Sequence, residues 1–151
     1  MRTTYAWNTN GRAKMVNSRK IEDLHLIVAA KCRAFIAACA AHGIDVVITS
    51  TFRDAESQNA LYAQGRTAPG KKVTHVRGGE SMHNWRRAFD FVPVVGGKAI
   101  WDDAKTWAKC GALAESVGLE WGGRWTGFVD KPHCQDTGGL TIAQYKAGMQ
   151  P

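Results

Sequence analysis

"SMHNWRRAFDFVPV", residues 81–94, sets an alternating segment behind a histidine. "RAFDFVPV" reads as a β-strand. Successive side chains of a strand point to opposite faces, so Asp90 shares a face with Ala88 while Phe89 and Phe91 occupy the other. A strand with aromatics on one face and an acid on the other is built to sit between a core and a site. Forty residues on, "DKPHCQ" (130–135) supplies a further aspartate and histidine on a segment short enough to be a neighbouring strand. His83, Asp90 and His133 thus become candidates for one metal site. Two neutral imidazoles and a carboxylate are a common zinc set that leaves a fourth position for water.

The segments around this strand predict its partners. Residues 18–42 carry Ile21, Leu24, Val28, Cys32, Phe35, Ile36 and Cys39 at helical spacing, with Ser18 as expected N-cap and Gly43 just past the end. "IDVVITST", Ile44 to Thr51, is short and β-branched, so it reads as a strand. Asp54 caps a second helix through "AESQNALYAQ" that stops at Gly65. Gly65 to Ser81 is glycine-rich and basic without a sustained period, hence a long loop, and such loops in compact domains are usually functional or mobile. "VVGGKAIW" predicts a tight turn. Asp102 or Asp103 caps a third helix with Trp107, Cys110, Leu113, Ala114 and Val117 as its apolar stripe before Gly118. Short strands are expected around "LEWGGRW" and "GFVDKPHCQ", and a last helix from Thr141. Helices and short strands in irregular order point to α+β, a small antiparallel sheet flanked by helices, in one domain over 1–151.

Composition limits what this domain does. At 151 residues with a 44% hydrophobic share the chain can bury a core by itself. "MRTTYAWNTNGRAKMVNSRK" has no apolar stretch of the kind a signal peptide needs, and "LIVAAKCRAFIAACAA" is broken by Lys31 and Arg33, so it is a helix face and not a membrane span. Cys32 and Cys39 stand two helical turns apart, about 10 Å, too far for a disulfide. All four cysteines, with Cys110 and Cys134, are read as free thiols. The net charge of +7 favours a polyanionic partner. That partner could be nucleic acid, an anionic membrane face or a bacterial envelope; the scatter of the basic residues weakens the nucleic-acid reading, and solubility alone also accounts for them.

Residues beyond the three candidate ligands make the metal reading specific. "SMHNWRRAFD" resembles the S-x-H-x-x-G-x-A-x-D signature of the zinc peptidases that include D-alanyl-D-alanine dipeptidases and carboxypeptidases, and "WGGRWTGFVDKPHCQ" is similar to the segment bearing their second histidine. "TSTFRDAESQNALYAQGRT" and "SRKIEDLH" resemble the L-alanyl-D-glutamate endopeptidases among phage endolysins and bacterial autolysins. The likeness runs in order from about Ser18 to Gln135.

The resemblance implies the hedgehog and D-Ala-D-Ala peptidase-like fold, a Zn²⁺ cofactor held by His83, Asp90 and His133, and Asp130 as the acid beside the metal. A carboxylate there can take a proton from water and hand it to the departing amine. It also implies substrate-holding roles for Arg53 and Gln58, and Ser81 matches the signature serine, which can donate a further hydrogen bond to substrate. Arg86 stands where the signature has glycine, so an added cation is expected near substrate or solvent, and Cys134 stands where an aromatic is usual. The substrate implied is the bacterial peptidoglycan stem peptide, cut at the L-alanyl-D-glutamate bond. The expected setting is a monomeric phage endolysin that accumulates in the host cytoplasm and reaches the cell wall once the membrane is permeabilised. No nucleic acid and no stable membrane insertion are expected. Competing readings are a D-alanyl-D-alanine carboxypeptidase, a zinc-bearing binding module without activity, and a basic nucleic-acid binder. Of the remaining histidines, His42 suits a helix end, His25 has no evident partner, and His75 alone is kept as a site-edge residue. Trp121 and Trp125, flanking "GGR", either line a glycan-peptide groove or pack, with core the preferred reading.

Overall fold

The computed structural model describes residues 15–151; the first fourteen, on which part of the signal-peptide reading rests, lie outside the described residues. The strands are β1 (Asp45–Ser50), β2 (Ala88–Val95), β3 (Lys98–Ala99), β4 (Glu120–Trp121) and β5 (His133–Gln135), and the helices α1 (Leu26–Ala41), α2 (Ala55–Ala63), α3 (Ala104–Ser116) and α4 (Ile142–Lys146). The sheet is antiparallel throughout in the order β1-β2-β5-β4, with β3 closing a hairpin onto the far end of β2. Gly96 and Gly97, both at positive φ, make the hairpin turn that "VVGGKAIW" predicts. The α+β expectation therefore holds, and no helix of the described residues is long and apolar enough to cross a membrane.

Register explains the two faces of the sheet. Phe89 lies opposite Cys134, which lies opposite Trp121, and these side chains with Phe91 enter one core against Phe35, Val28 and Cys32 of α1 and Trp107 and Cys110 of α3. Asp90 lies opposite His133 and Ala88 opposite Gln135, on the other face, where Ala88 packs with Met82 and Tyr145. All four cysteines are buried free thiols. Cys134 points inward as alternation requires, and burial pushes its thiol well above the ordinary range.

Helix α1 begins later than its apolar stripe predicts. Ser18 is not its cap: Ser18 Oγ donates to Asp23, and its backbone exchanges two hydrogen bonds with Thr51 and Phe52. The chain makes a short 3-10 turn at Ile21–Asp23, extends at Leu24, and starts α1 with His25, whose Nδ1 accepts from the Ile27 amide. His25 thus has a partner after all. The stripe survives the change because Leu24 and Val28 still fall on the core. Asp54 and Asp103 cap α2 and α3, and Thr141 caps α4 with a capping box through Gln144.

A half-buried ion cluster ties these layers together. Asp136, just past β5, receives Lys31 of α1 at 2.6 Å and Arg87 at the start of β2 at 3.3 Å, and its carbonyl takes Arg87 Nε at 2.6 Å. Burial pushes the Asp136 carboxyl up, but the Lys31 hydrogen bond, the Gly138 amide and the charges of Lys31 and Arg87 outweigh it and hold it below the usual range. A folded pKa below the unfolded one gives stability that is complete above the unfolded carboxylate range and is lost as pH falls through the folded value. Acid titration followed by circular dichroism is therefore expected to show a shallower loss of stability below neutrality in Asp136→Asn than in the parent, from a lower starting level.

Tight packing at the other edge yields a second expectation. A methyl group on Gly111 of α3 would come within 2.1 Å of the Trp121 ring, whose indole N–H is fixed on the Lys131 carbonyl. Alanine gains helix propensity of up to about 1 kcal/mol over glycine, whereas overpacking a core costs roughly 1–3 kcal/mol. Gly111→Ala should therefore lower the urea midpoint, with the clash outweighing propensity.

Candidate metal centre

Three pieces of backbone deliver the three candidate ligands. Asp90 and His133 are direct cross-strand partners, the shortest side-chain separation a sheet offers. His83 comes from the 3-10 turn Met82–Trp85, whose start is fixed by Ser81: its Oγ accepts from the His83 amide while Asn84 Oδ1 accepts from the Ser81 amide. Asn84 Nδ2 donates to the Arg53 carbonyl and the Arg53 amide to the His83 carbonyl, stitching the turn to the segment after β1. The turn ends at Arg86, with φ 61° and ψ 24°, the only non-glycine residue at positive φ among the described residues.

That conformation gives the signature glycine its physical meaning. A side chain in the left-handed region costs about 1–2 kcal/mol. Arg86 offsets this by donating to the Asp23 carbonyl at 2.7 Å and lying 3.9 Å above the Phe52 ring. Its guanidinium is thus committed to the Ile21–Asp23 turn and does not line the cleft, which corrects the expectation of a cation near the substrate.

At the centre, Asp90 Oδ1 stands 3.1 Å from His83 Nε2 and 3.5 Å from His133 Nδ1, and the three donor atoms lie within 4.8 Å of one another. Tetrahedral bonds of about 2.0–2.1 Å place neighbouring ligand atoms about 3.3 Å apart, so the spacing fits one ion. The outer ring edges settle the tautomers. His83 Nδ1 is 2.8 Å from the Thr51 carbonyl, which only accepts. His133 Nε2 is 2.7 Å from Gln135 Oε1, and Gln135 is oriented by Nε2 donating to Glu120. Both outer nitrogens therefore carry protons, which in the neutral rings leaves two lone pairs and a carboxylate converging on one point. Such a set demands a cation.

Protonated, the same two rings would oppose the Asp90 charge in a cation's place: burial pushes Asp90 up, but the His83 charge and hydrogen bonds from both rings hold it well below the usual range. Burial pulls His133 down, yet the Asp90 hydrogen bond raises it above the ordinary histidine value. Asp130 behaves oppositely to Asp90. Its Oδ2 is 4.0 Å from His133 Nδ1, and burial, helped by the Asp90 charge, lifts its carboxyl above the usual range against the pull of His133.

The ligands lie in a cleft of about 450 Å³ that Arg53, Ser81 and Asp130 also line. Arg53 Nη2 is 3.6 Å from Asp90 Oδ2 and donates to Ser50 Oγ, which a β-bulge between Ile48 and Ser50 brings opposite Asp90. Gln58 is wholly buried behind this wall. Its Oε1 accepts from Arg53 Nη1 and its Nε2 donates to the Val76 carbonyl and Thr74 Oγ1, so it joins Arg53 to the long loop. Loop residues 73–76 form one rim, and His75 touches Phe128 of the opposite rim at 4.5 Å between ring centres. Trp121 is core, but Trp125 lines the cleft with its ring 5.0 Å from that of His133, where Glu120 accepts its N–H.

Sequence reasoning did not identify Phe128, Asn84, the Thr51 carbonyl or Gln135 as parts of the site, and it placed Trp125 in a groove only as the lesser alternative to core. Only Gln135 had a readable signal: two residues after His133 on a strand, it shares that face.

Residues 74–136 match a family model described as D-alanyl-D-alanine carboxypeptidase. The chain is 44% identical over 122 residues to the peptidoglycan L-alanyl-D-glutamate endopeptidase CwlK of Bacillus subtilis, covering 75% of this chain and 73% of that protein. It is 36% identical over 96 residues to the L-alanyl-D-glutamate peptidase of a Listeria phage, covering 62% of this chain and 31% of that protein. Among solved structures, the L-Ala D-Glu endopeptidase ChiX of Serratia marcescens aligns with a TM-score of 0.59 at 19% identity, over 83% of this chain and 86% of that one. The vancomycin-resistance D,D-pentapeptidase VanY, in complex with Zn(II), aligns at 0.55 and 15% identity over 97% and 93%. The two structural likenesses are likenesses of fold.

If His83 and His133 are ligands, His83→Ala and His133→Ala should each lose the single equivalent of zinc that mass-spectrometric metal analysis finds in the parent. Gln135→Ala, which frees only the outer edge of His133, should retain the metal with roughly 10–100-fold weaker affinity in a chelator competition.

Proposed function

The chain belongs to the zinc peptidase family of the D-alanyl-D-alanine carboxypeptidases and L-alanyl-D-glutamate endopeptidases, and from that premise we propose that it hydrolyses the L-alanyl-D-glutamate bond of peptidoglycan stem peptides with His83, Asp90 and His133 as its zinc ligands. The observation that carries this reading is the convergence of three donor atoms beside a carboxylate, Asp130, whose environment favours its protonated form more than an exposed acid's would. Zinc, when bound, supplies a Lewis acid for the scissile carbonyl and makes water a better proton donor.

The side chains divide the remaining work. Asp130 accepts a proton from the attacking water and passes it to the D-glutamate amine as the bond breaks, and its raised pKa suits both halves of that exchange. Arg53 has its guanidinium at the cleft wall, where it can hold the free carboxylate of the D-glutamate residue or the developing oxyanion. Gln58 acts through Arg53, holding the guanidinium without reaching the cleft. Ser81 keeps the His83 turn in place and presents its hydroxyl to the cleft. Trp125 shields the outer side of His133 from water.

The carboxypeptidase reading rests on the description of the matched family model. The endopeptidase reading is supported by the relative of higher identity and longer coverage. Within it, the chain acts as a single monomeric domain of a phage lysis system, released from the host cytoplasm to the wall when the membrane opens, with the +7 charge assisting at an anionic envelope.

Mass spectrometry of purified peptidoglycan digested by the zinc-loaded protein is expected to show stem peptides beginning with D-glutamate. Release of free D-alanine with the L-alanyl-D-glutamate bond intact would establish the carboxypeptidase instead. Asp130→Asn should keep its zinc and lose about 10²–10⁴-fold in kcat, the usual weight of a general acid–base.

A further inference from the structure

Beyond the cleft, a second depression of about 360 Å³ shares Asp130 and Pro132 with it. Its other walls are Trp101, Trp107, Val129 and Lys131. Trp101 is 58% exposed and Val129 49%, large apolar groups in a position that neither the core nor the proposed chemistry uses. The indole of Trp101 is nonetheless set on a rigid base. Its carbonyl receives the N–H of the buried Trp107, and the two rings lie 6.3 Å apart at 40°. A fixed, exposed aromatic face beside a cation and a backbone turn is a platform, and contiguous exposed apolar surface beside a cleft marks binding.

We propose that this depression is a saccharide subsite that takes the N-acetylated sugar from which the stem peptide hangs, its apolar C–H face lying on Trp101. The inference rests on the endopeptidase reading above and follows from the polarity of the cleft. Contacts run in order from Arg53 to Asp90, from Asp90 to His133 and from His133 to Asp130, and Asp130 lines both depressions. With the D-glutamate carboxylate on Arg53, the L-alanine lies toward Asp130. L-Alanine is the residue joined to the sugar, and one residue of extended chain spans only about 3.5 Å, so the sugar must leave the cleft at once. It leaves where the Trp101 platform begins. A chain acting on a glycan-borne peptide thereby gains a hold on the glycan from the catalytic domain itself.

The test compares kcat/KM for a disaccharide–tetrapeptide with that for the same tetrapeptide without sugar. Trp101→Ala is expected to lose roughly tenfold on the first and to stay within about twofold on the second, with Trp101→Phe recovering much of the loss. Equal losses on both substrates, or none on either, overturn the subsite. Should the parent protein cleave neither substrate, the endopeptidase reading fails, and the subsite is judged separately by titrating the peptide-free disaccharide against the indole N–H signals in a proton–nitrogen spectrum. Movement of the signal that Trp101→Phe removes supports the subsite, and a stationary signal refutes it. Dimers in the parent that Trp101→Ala abolishes, without any saccharide response, would also refute it by making the patch a contact between copies.

Discussion

The pairing of Asp90 with His133 across β2 and β5 is the constraint on which the site depends. Period-two alternation means that a slip of one strand by one residue would send Asp90 or His133 into the aromatic core and bring Phe89 or Cys134 to the cleft in its place. The core opposes that slip, because Phe35 and Trp107 close on Phe91, and Phe35 also touches Phe89. Apolar burial on one face of the sheet thus fixes catalytic geometry on the other. His83 is held differently, by a capped turn of four residues, and its place is secured by hydrogen bonds to the segment after β1 and not by the sheet.

Two aspartates a few ångströms from the same histidine are driven apart in pKa by their partners. Asp90 sits between two rings with Arg53 near its other oxygen, so its charge is fully opposed. Asp130 touches the edge of that arrangement and feels Asp90 as a like charge. The two carboxylates thereby differ in proton affinity through position alone, the difference on which the proposed division into a ligand and a proton carrier rests. The same negative field that raises His133 by favouring its protonated form would attract a cation to that point.

The elements that alternation and capping control were legible in the sequence: β2, the Asp54 and Asp103 caps, the Gly96–Gly97 turn and the inward Cys134. The start of α1 was not, because Ser18 is drawn away from capping by long-range pairing with Thr51 and Phe52, which no local pattern encodes. Likewise Trp125 has no periodicity to declare its direction; only the fold places it against His133. Arg86 read as a departure from a glycine signature, and the structure converts that departure into a backbone angle and two compensating contacts. Residues assigned through chemistry, His83, Asp90 and His133, converge as expected, whereas Gln58, given a substrate-holding role through the resemblance, stands buried behind Arg53.

This division of labour accounts for how far the likenesses reach. The fold is shared in outline with proteins of 15–19% identity that are named for different bonds. A fold common to proteins named for different bonds leaves the choice of bond to the walls of the cleft. Here the walls are the long loop at residues 65–81 and the segment between β4 and β5, which meet through His75 and Phe128. Neither is held by the sheet. The first is anchored through Gln58 to Arg53, so the guanidinium at the cleft wall is mechanically joined to the rim. Changes in these two segments can retune which peptide is gripped without disturbing the register that sets the metal geometry, and for that reason specificity can drift while the centre stays put.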